Sequence, residues 1–180
     1  MASERPVLIL TGPPGAGKTT AARVLVQRWE RAVHVESDRF FDFIRSGYVE
    51  PWKPESREQN EVVMLTIAGT AASYASARYF TIVDGIVLPR FFFEPLRDAL
   101  RGAGQSVAYA VLRAPLDVCL SRAAGRSSQP LGDPEVVERL WRDFSDLDDL
   151  EHHAVDVDAE SPEETADLLD ARLRDGSLAA

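Results

Sequence analysis

The stretch that decides the fold is Val7-Leu-Ile-Leu-Thr-Gly-Pro-Pro-Gly-Ala-Gly-Lys-Thr-Thr20, an apolar run followed by a glycine-rich loop. The run from Val7 to Leu10 is typical of a buried parallel strand, and apolar residues recur at helical spacing after Lys18. Between them, Gly12 to Thr19 matches the pattern G-x-x-x-x-G-K-[ST], in which backbone N–H groups surround a phosphate. The pattern predicts a polyphosphate-binding loop, rather than a plain Gly-Pro turn, formed by Gly12, Pro13, Pro14, Gly15, Ala16, Gly17, Lys18, Thr19 and Thr20.

Two side chains of this loop have specific roles in the pattern. Lys18 is expected to reach the β and γ phosphates of a nucleotide, and the hydroxyl of Thr19 is expected to hold Mg²⁺. Lys18 and Lys53 are the only lysines among the 20 basic residues, so a lysine at this position is informative. ATP and Mg²⁺ are therefore the expected ligands.

Short apolar runs alternate with helical segments along the whole chain. Strands are expected at about 7–10, 32–35, 80–83, 107–112 and 154–157, and helices after Lys18, at about 39–46, 56–77, 91–101 and 115–123, and after Asp133 and Ser161. Capping boxes are expected at Ser56 with Gln59 and at Ser161 with Glu164, and the residues after about Asp175 are expected to fray. This order predicts a three-layer α/β protein. It has a five-stranded parallel sheet, helices on both faces and one domain over residues 1–180.

Two carboxylates follow expected strands, at the edge where parallel sheets gather their ligands. Asp84 ends the run from Phe80 to Val83 and is expected to order Mg²⁺ through its water shell, although an Asp-Gly turn gives the same pattern. Asp38 follows the second strand, where a carboxylate near the γ-phosphate accepts the proton of an attacking hydroxyl. A helix cap at Asp38 or Ser37 explains the pattern equally well. Glu36 is the alternative base.

Arginines gather around the helix that begins at Pro115. Arg122 and Arg126 are four residues apart on one helix face that runs into a polar loop, and the segment 122–132 is predicted to be a short mobile lid. Arginines in a lid neutralise charge on a transferring phosphoryl group and exclude water. The alternative is a solvated helix face in an arginine-rich chain. Arg113 is expected to be a structural or a nucleotide contact.

A second group of residues lies in segments that could face a substrate. Aromatic side chains on loops can line small-molecule pockets, but more often they belong to the core. The group comprises Arg45, Tyr48, Trp52, Lys53, Arg57, Arg90 and the run Phe91-Phe92-Phe93. Among the histidines, His34 is expected to face a neighbouring strand, and His152-His153 lacks further ligands for a metal.

Charge is unevenly distributed along the 180 residues, whose net charge is −9. Residues 1–132 hold 16 basic and 13 acidic side chains, whereas residues 133–180 hold 4 and 16. An acidic protein of this kind is not expected to bind duplex nucleic acid through a broad phosphate-neutralising surface. The longest uncharged stretch, 62–77, is too short to span a bilayer, and the apolar run near the amino terminus is too short for a signal peptide. We therefore expect a cytoplasmic monomer or homodimer that does not bind membranes, with the single cysteine, Cys119, in the core.

The chain resembles the small P-loop kinases grouped with the zeta-toxin and chloramphenicol-phosphotransferase-like proteins, often described as AAA-like P-loop ATPases. The resemblance covers nearly all of the chain and implies the three-layer P-loop kinase fold with a short lid. It lies in Gly12 to Thr19, Ser37-Asp38, Ile82 to Gly85, Val111 to Arg122 with Arg126, and Ser161 to Thr165. It implies Asp38 as the catalytic base, Arg122 and Arg126 as lid arginines, and a closing helix next to the adenine.

Other features of the sequence narrow the function. The segment Gly85-Ile-Val-Leu-Pro-Arg90 replaces the glycine-rich run of shikimate kinases, so shikimate is not expected as the substrate. The sequence has no Asn-Lys-x-Asp guanine motif, and 180 residues leave no room for the helical domain of an oligomeric motor. We expect a phosphotransferase that moves the γ-phosphate of ATP to a hydroxyl of a small molecule, either a metabolite or an antibiotic. The alternatives are a kinase for a nucleotide, a sugar nucleotide or a nucleic-acid end and, from another class, an ATP-hydrolysing regulatory switch.

Overall fold

The computed structural model describes residues 5–125 and 132–180. Strands and helices alternate along these ranges, and short helical turns lie at Pro54–Ser56, Pro89–Phe93 and Asp148–His153. The strands and helices are β1 (Val7–Thr11), α1 (Lys18–Val26), β2 (Ala32–Glu36), α2 (Asp38–Phe41), α3 (Arg57–Ser76), β3 (Phe80–Asp84), α4 (Glu94–Gly102), β4 (Val107–Arg113), α5 (Leu116–Ala124), α6 (Pro134–Asp143), β5 (Ala154–Asp156) and α7 (Pro162–Arg174).

The strands form one parallel sheet in the order β2-β3-β1-β4-β5, which confirms the predicted five-stranded parallel sheet. β1 lies at its centre, where Leu8 is in register with Ile82 of β3 and Ala108 of β4. Every residue of β1 is buried. A parallel strand covered on both faces has no solvent side, which explains why the sequence of β1 is a continuous apolar run.

Helices cover both faces of the sheet, and the side chains of β1 alternate between them. Leu8 and Leu10 pack in one core with residues of α1, α5 and α7. Val7 and Ile9 pack in a second core with residues of α3 and α4. The predicted three-layer α/β architecture is therefore confirmed. Because the strands are parallel, their carboxyl ends open at one edge, where the segments that follow β1, β2 and β3 meet.

Most helix starts agree with the sequence. Asp133 caps α6 by accepting a hydrogen bond from the Glu135 N–H, and Ser161 with Glu164 forms the predicted capping box of α7. In both helices a proline occupies the first turn, where its missing N–H costs nothing. The helix predicted at 91–101 begins with the turn Pro89–Phe93 and continues as α4.

The segment after β2 is less helical than predicted. A helix is expected over residues 39–46, but α2 ends at Phe41. Aromatic and β-branched residues are weak helix formers, and this segment is rich in them. Phe40, Phe41 and Ile44 pack against the core formed with α3 and α4. Tertiary packing therefore decides the course of the chain here.

The capping box predicted at Ser56 is wrong. The Ser56 hydroxyl, a single donor, lies within hydrogen-bond distance of the carbonyls of Pro51 and Lys53, at 2.9 and 2.7 Å. Gln59 accepts from the Val49 N–H at 2.9 Å and donates to the Val49 carbonyl at 2.7 Å. Both side chains hold the loop in front of α3, because the backbone groups of that loop need partners.

The predicted fraying after Asp175 is also wrong. Leu178 is fully buried, and its carbonyl accepts a hydrogen bond from the Tyr109 N–H at 2.9 Å. Ala179 forms an antiparallel bridge with Ala108 of β4. Since β5 pairs only with residues 111–113 of β4, this segment supplies the pairing that the amino-terminal part of β4 lacks on that side.

Candidate active site

The glycine-rich loop joins β1 to α1 and is buried over most of its length. Gly12 and Gly15 have φ values of 139° and 83°, in the range that favours glycine. A Cβ on Gly12 would lie 2.1 Å from the Leu112 carbonyl oxygen, and one on Gly15 would lie 2.3 Å from the Cys119 carbonyl oxygen. The loop therefore fits tightly between β4 and α5 only because these positions are glycines.

Lys18 begins α1 and is buried against the loop that precedes it. Its Nζ donates hydrogen bonds to the carbonyls of Gly12 and Pro13, both at 2.9 Å. Thr19 is half-buried and Thr20 is exposed. The lysine thus sits over the concave side of a loop whose N–H groups, with the start of α1, form an anion-binding arrangement.

Asp84 lies at the end of β3, between the strands that carry the other expected site residues. It is in register with Leu10 of β1 and with Glu36 of β2. Neighbouring strands lie about 4.8 Å apart, so Asp84 is close to the start of the glycine-rich loop. Its side chain is almost completely buried, and its Oδ2 lies 3.1 Å from the Nε2 of His34.

The other carboxylate oxygen of Asp84, Oδ1, has no partner among the described residues. A buried carboxylate oxygen without a partner is costly and calls for an ion or water. In the described part of the chain, no group of three or more His, Cys, Asp or Glu side chains could hold a metal. Mg²⁺ does not need such a group, since it takes one or two carboxylates together with phosphate oxygens and water. Asp84 fits that role.

Ser37 and Gly85 bring the ends of β2 and β3 together. The Ser37 N–H donates to the Asp84 carbonyl at 2.8 Å, and a Cβ on Gly85 would lie 1.7 Å from the Ser37 Oγ. This contact places Asp38, the exposed first residue of α2, at the same sheet edge as Asp84.

Glu36, the alternative base, is engaged by arginines. Its carboxylate accepts hydrogen bonds from Arg39 at 3.0 Å and from Arg23 at 3.4 Å. The hydrogen bond from Arg39 is the main cause that lowers the pKa of Glu36. A more acidic carboxyl is a weaker proton acceptor. The pairing with Arg39 and Arg23 therefore weakens Glu36 as a candidate base.

Arg122 lies on the face of α5 that packs against the glycine-rich loop. Its Nη1 donates to the Gly15 carbonyl at 3.5 Å, and the residue is exposed. Burial raises the pKa of the neighbouring Cys119 thiol, while the positive charges of Lys18 and Arg122 act in the opposite direction. Lys18 and Arg122 thus both bring positive charge near Cys119. Arg126 and residues 127–131 of the expected lid lie outside the described residues.

Arg113 joins the ends of β4 and β5. Its guanidinium donates to Asp156 at 2.8 and 3.2 Å and to Glu151 at 2.7 Å. Both carboxylates belong to the chain itself, so Arg113 makes a structural contact between β4 and the segment around β5. Arg113 also lines a cavity of about 560 Å³, together with Pro13, Trp141 and residues 156–158 among others.

Most residues expected on the substrate side either form ion pairs or belong to the core or the surface. The basic side chains pair with carboxylates: Lys53 with Glu50, Arg57 with Glu61 and Arg90 with Asp148. The aromatic side chains divide between core and surface: Phe93 is buried, whereas Phe91, Tyr48 and Trp52 are exposed. Arg45 is exposed as well. Core packing therefore explains Phe93 and does not explain the exposed rings.

His34 contacts the candidate site residue Asp84, and the sequence shows it only as a strand residue. It was expected to face a neighbouring strand, and it does so by contacting Asp84. The two residues are 50 positions apart, so no local pattern connects them. The contact follows from the register of β2 with β3. This register places His34 diagonally across from Asp84 on one face of the sheet.

Three features define a kinase-like P-loop fold. They are the strand β1, the G-x-x-x-x-G-K-T loop whose carbonyls Lys18 contacts, and the buried Asp84 at the end of the adjacent strand. The chain belongs to the AAA domain family, whose model matches residues 7–147. A shikimate kinase of Pseudomonas entomophila strain L48 is 29% identical over 160 residues, which cover 78% of this chain and 83% of that protein.

Two solved structures share the fold. The tunicamycin resistance protein of Deinococcus radiodurans superimposes with a TM-score of 0.70 at 21% identity, over 94% of this chain and 95% of that one. A gluconokinase from Sinorhizobium meliloti 1021 does so with a TM-score of 0.68 at 18% identity, over 96% and 93%. Within the described ranges, no helix combines the length and the apolar character that crossing a membrane requires.

Proposed function

We propose that the chain is an ATP-dependent phosphotransferase that moves the γ-phosphoryl group to a hydroxyl of a small molecule, either a metabolite or an antibiotic. The observation that carries the proposal is the position of Asp38. This exposed carboxylate lies at the sheet edge where the glycine-rich loop opens, two residues after Glu36, which is in register with the buried Asp84. A nucleotide switch needs the loop and a metal carboxylate. Phosphoryl transfer to a hydroxyl also needs a proton acceptor, and a second carboxylate at this edge supplies one.

Binding of the nucleotide rests on the loop and on α1. The loop N–H groups and the positive end of α1 bind the phosphates. Lys18 exchanges its two loop carbonyls for oxygens of the β and γ phosphates. Thr19 and Asp84 would hold Mg²⁺, which, when bound, neutralises charge on those phosphates.

For phosphoryl transfer, the acceptor hydroxyl binds next to Asp38. The acceptor oxygen forms the new bond to the γ-phosphorus, the bond from that phosphorus to the β–γ bridging oxygen breaks, and the hydroxyl proton passes to Asp38. The products are ADP and the phosphorylated acceptor. Arg122 adds positive charge beside the loop, and we assign the same role to Arg126.

Asp38→Asn tests this proposal. Acceptor-dependent ADP release should fall by roughly 10² to 10⁴, the usual contribution of a general base, while ATP affinity changes little. Asparagine caps a helix about as well as aspartate, so a purely structural Asp38 would tolerate the change. The matched control is Asp42→Asn, an exposed carboxylate just after the same helix.

Two results would contradict the proposal. Unchanged acceptor-dependent turnover in Asp38→Asn would remove the catalytic role. ADP release that no acceptor hydroxyl stimulates, across a library of metabolites and antibiotics, would favour the switch.

A further inference from the structure

Backbone contacts on both sides fix the position of Asp84. Its carbonyl accepts a hydrogen bond from the Ser37 N–H at 2.8 Å, and the residue is in register with Leu10 of β1. The N–H of the next residue, Gly85, donates to the Leu10 carbonyl at 3.2 Å. These bonds set the backbone but leave the side chain free to rotate about its own bonds. The direction of the Asp84 carboxylate therefore depends on what its two oxygens contact.

His34 contacts one of these two oxygens. Its Nε2 lies 3.1 Å from the Oδ2 of Asp84, and the two side chains are only 11% and 3% exposed. An ionised carboxylate only accepts hydrogen bonds, so Nε2 carries the proton in this contact and donates it. A hydrogen bond to a charged acceptor is stronger than one between neutral groups. The contact with His34 thus fixes the rotation of the Asp84 carboxylate.

The surroundings of His34 direct its ring to Asp84. Side chains alternate across a strand, so Glu36 is on the same face of β2 as His34. The Glu36 carboxylate, however, is held by Arg39 and Arg23. The residue in register with His34 on β3 is apolar. Asp84 therefore remains as the acceptor for Nε2.

The two carboxylate oxygens of Asp84 are in different situations. Oδ2 accepts from His34, whereas Oδ1 is buried and has no hydrogen-bond partner among the described residues. A buried carboxylate oxygen costs free energy unless it has a partner. Oδ1 is thus the oxygen that remains for a metal ion or for the water that the ion carries.

Resting on the function proposed above, in which Asp84 holds Mg²⁺, we propose that His34 is a positioning residue for that metal. By holding Oδ2, His34 keeps the carboxylate in one rotation and leaves Oδ1 available. His34 itself contacts neither the metal nor the substrate. Side chains that hold a metal ligand in this way contribute about 10- to 100-fold to metal affinity.

The first experiment measures binding of mant-AMP-PNP, a fluorescent ATP analogue that does not transfer its terminal phosphoryl group, with Mg²⁺ and with EDTA. His34→Leu removes the donor, whereas His34→Gln keeps an N–H group near the position of Nε2. His34→Leu should reduce the gain in affinity that Mg²⁺ provides about tenfold or more, with the affinity in EDTA unchanged. His34→Gln should retain most of the gain.

The control is His152→Leu, which changes an exposed histidine outside the site and should behave as the wild type. Thermal unfolding of each variant shows whether it has kept its fold. A variant that has lost its fold binds the analogue more weakly both with Mg²⁺ and with EDTA. The comparison of the two conditions therefore separates an effect on the metal from a general loss of structure.

The second experiment combines His34→Leu with Asp84→Asn. Because His34 acts through Asp84, the two effects should not add. In the Asp84→Asn background, His34→Leu should change the gain from Mg²⁺ by less than about twofold. In turnover assays with the wild-type Asp84, His34→Leu should raise the Mg²⁺ concentration for half-maximal rate about tenfold or more, and kcat at saturating Mg²⁺ should change less.

Three results overturn the inference and leave the proposed transfer reaction intact. They are an unchanged gain from Mg²⁺ in His34→Leu, an equal loss in His34→Leu and His34→Gln, and additive effects of His34→Leu and Asp84→Asn. A wild type that binds the analogue equally with Mg²⁺ and EDTA overturns both the inference and the metal role of Asp84. The expected binding results, together with ADP release that no acceptor stimulates, support the role of His34 and overturn the transfer reaction instead.

Discussion

The contact between Gly85 and Ser37 predicts the effect of adding one methyl group at the edge of the site. A Cβ on Gly85 would lie 1.7 Å from the Ser37 Oγ and 2.8 Å from the Ser37 Cβ. The hydroxyl can rotate away. The two Cβ atoms cannot, and they must separate by about 0.7 Å to reach the shortest favourable carbon–carbon contact.

Gly85→Ala is therefore expected to lower the free energy of unfolding by about 1–2 kcal/mol. Overpacking costs about 1–3 kcal/mol, and the reduced freedom of the unfolded chain returns up to about 1 kcal/mol. Ser37→Gly removes both clashing atoms, so the double variant should recover about 1 kcal/mol or more relative to additivity. The strain also separates Asp38 from Asp84, so we expect kcat for phosphoryl transfer to fall more than ATP affinity.

Urea unfolding of the wild type, both single variants and the double variant measures this coupling. Gly69→Ala is a suitable control, because nothing lies within 4 Å of the added methyl group on that exposed face of α3. It should be neutral or stabilising by up to about 1 kcal/mol. If the effects of Gly85→Ala and Ser37→Gly add to within about 0.3 kcal/mol, the close contact does not hold the edge together and the reasoning is refuted.

Two further outcomes are expected. Lys18→Ala should reduce phosphoryl transfer by about 3 kcal/mol in the transition state, or more than a hundredfold, with the circular dichroism spectrum unchanged; near-normal turnover would argue against a phosphate role for the loop. Burial lowers the pKa of His153 from 6.5 to about 4, so the unfolded chain binds the proton first as pH falls. The free energy of unfolding should therefore drop by about 3 kcal/mol more in the wild type than in His153→Phe between pH 6.5 and 4. Parallel pH profiles in urea unfolding would contradict this.

The parts of the structure that sequence reasoning found are those with local signals. β1 is a continuous apolar run, and the loop after it has fixed glycine spacing, so both are recognisable within about fifteen residues. The positions of Asp84 and Asp38 after β3 and β2 also follow from the sequence, and one further rule, that ligands gather where parallel strands end, makes both candidate site residues. The same rule cannot distinguish Asp38 from Glu36. The arginine partners that weaken Glu36 as a base, Arg39 and Arg23, are visible only in the structure, since Arg23 comes from another helix.

The features that sequence reasoning missed depend on contacts between distant segments. The pairing of His34 with Asp84 requires the register of two strands. The burial of Leu178 requires that β5 be too short to cover all of β4. Ser56 and Gln59 have the spacing of a capping box, but the loop in front of α3 offers them other partners. In each case a tertiary contact overrides a local preference.

The central position of β1 affects how the protein emerges from the ribosome. Val7 is in register with Val107, 100 residues further along the chain, and Leu8 with Ile82, 74 residues further along. β2 is made next but pairs with β3 and not with β1. At roughly 5–20 residues per second, synthesis leaves the run Val-Leu-Ile-Leu with an incomplete set of strand partners for roughly 5–20 seconds. Contacts between residues that are far apart in the sequence also form slowly during folding. The first strand to be made is thus among the last to be enclosed, and it offers nascent-chain chaperones an apolar binding segment during that interval.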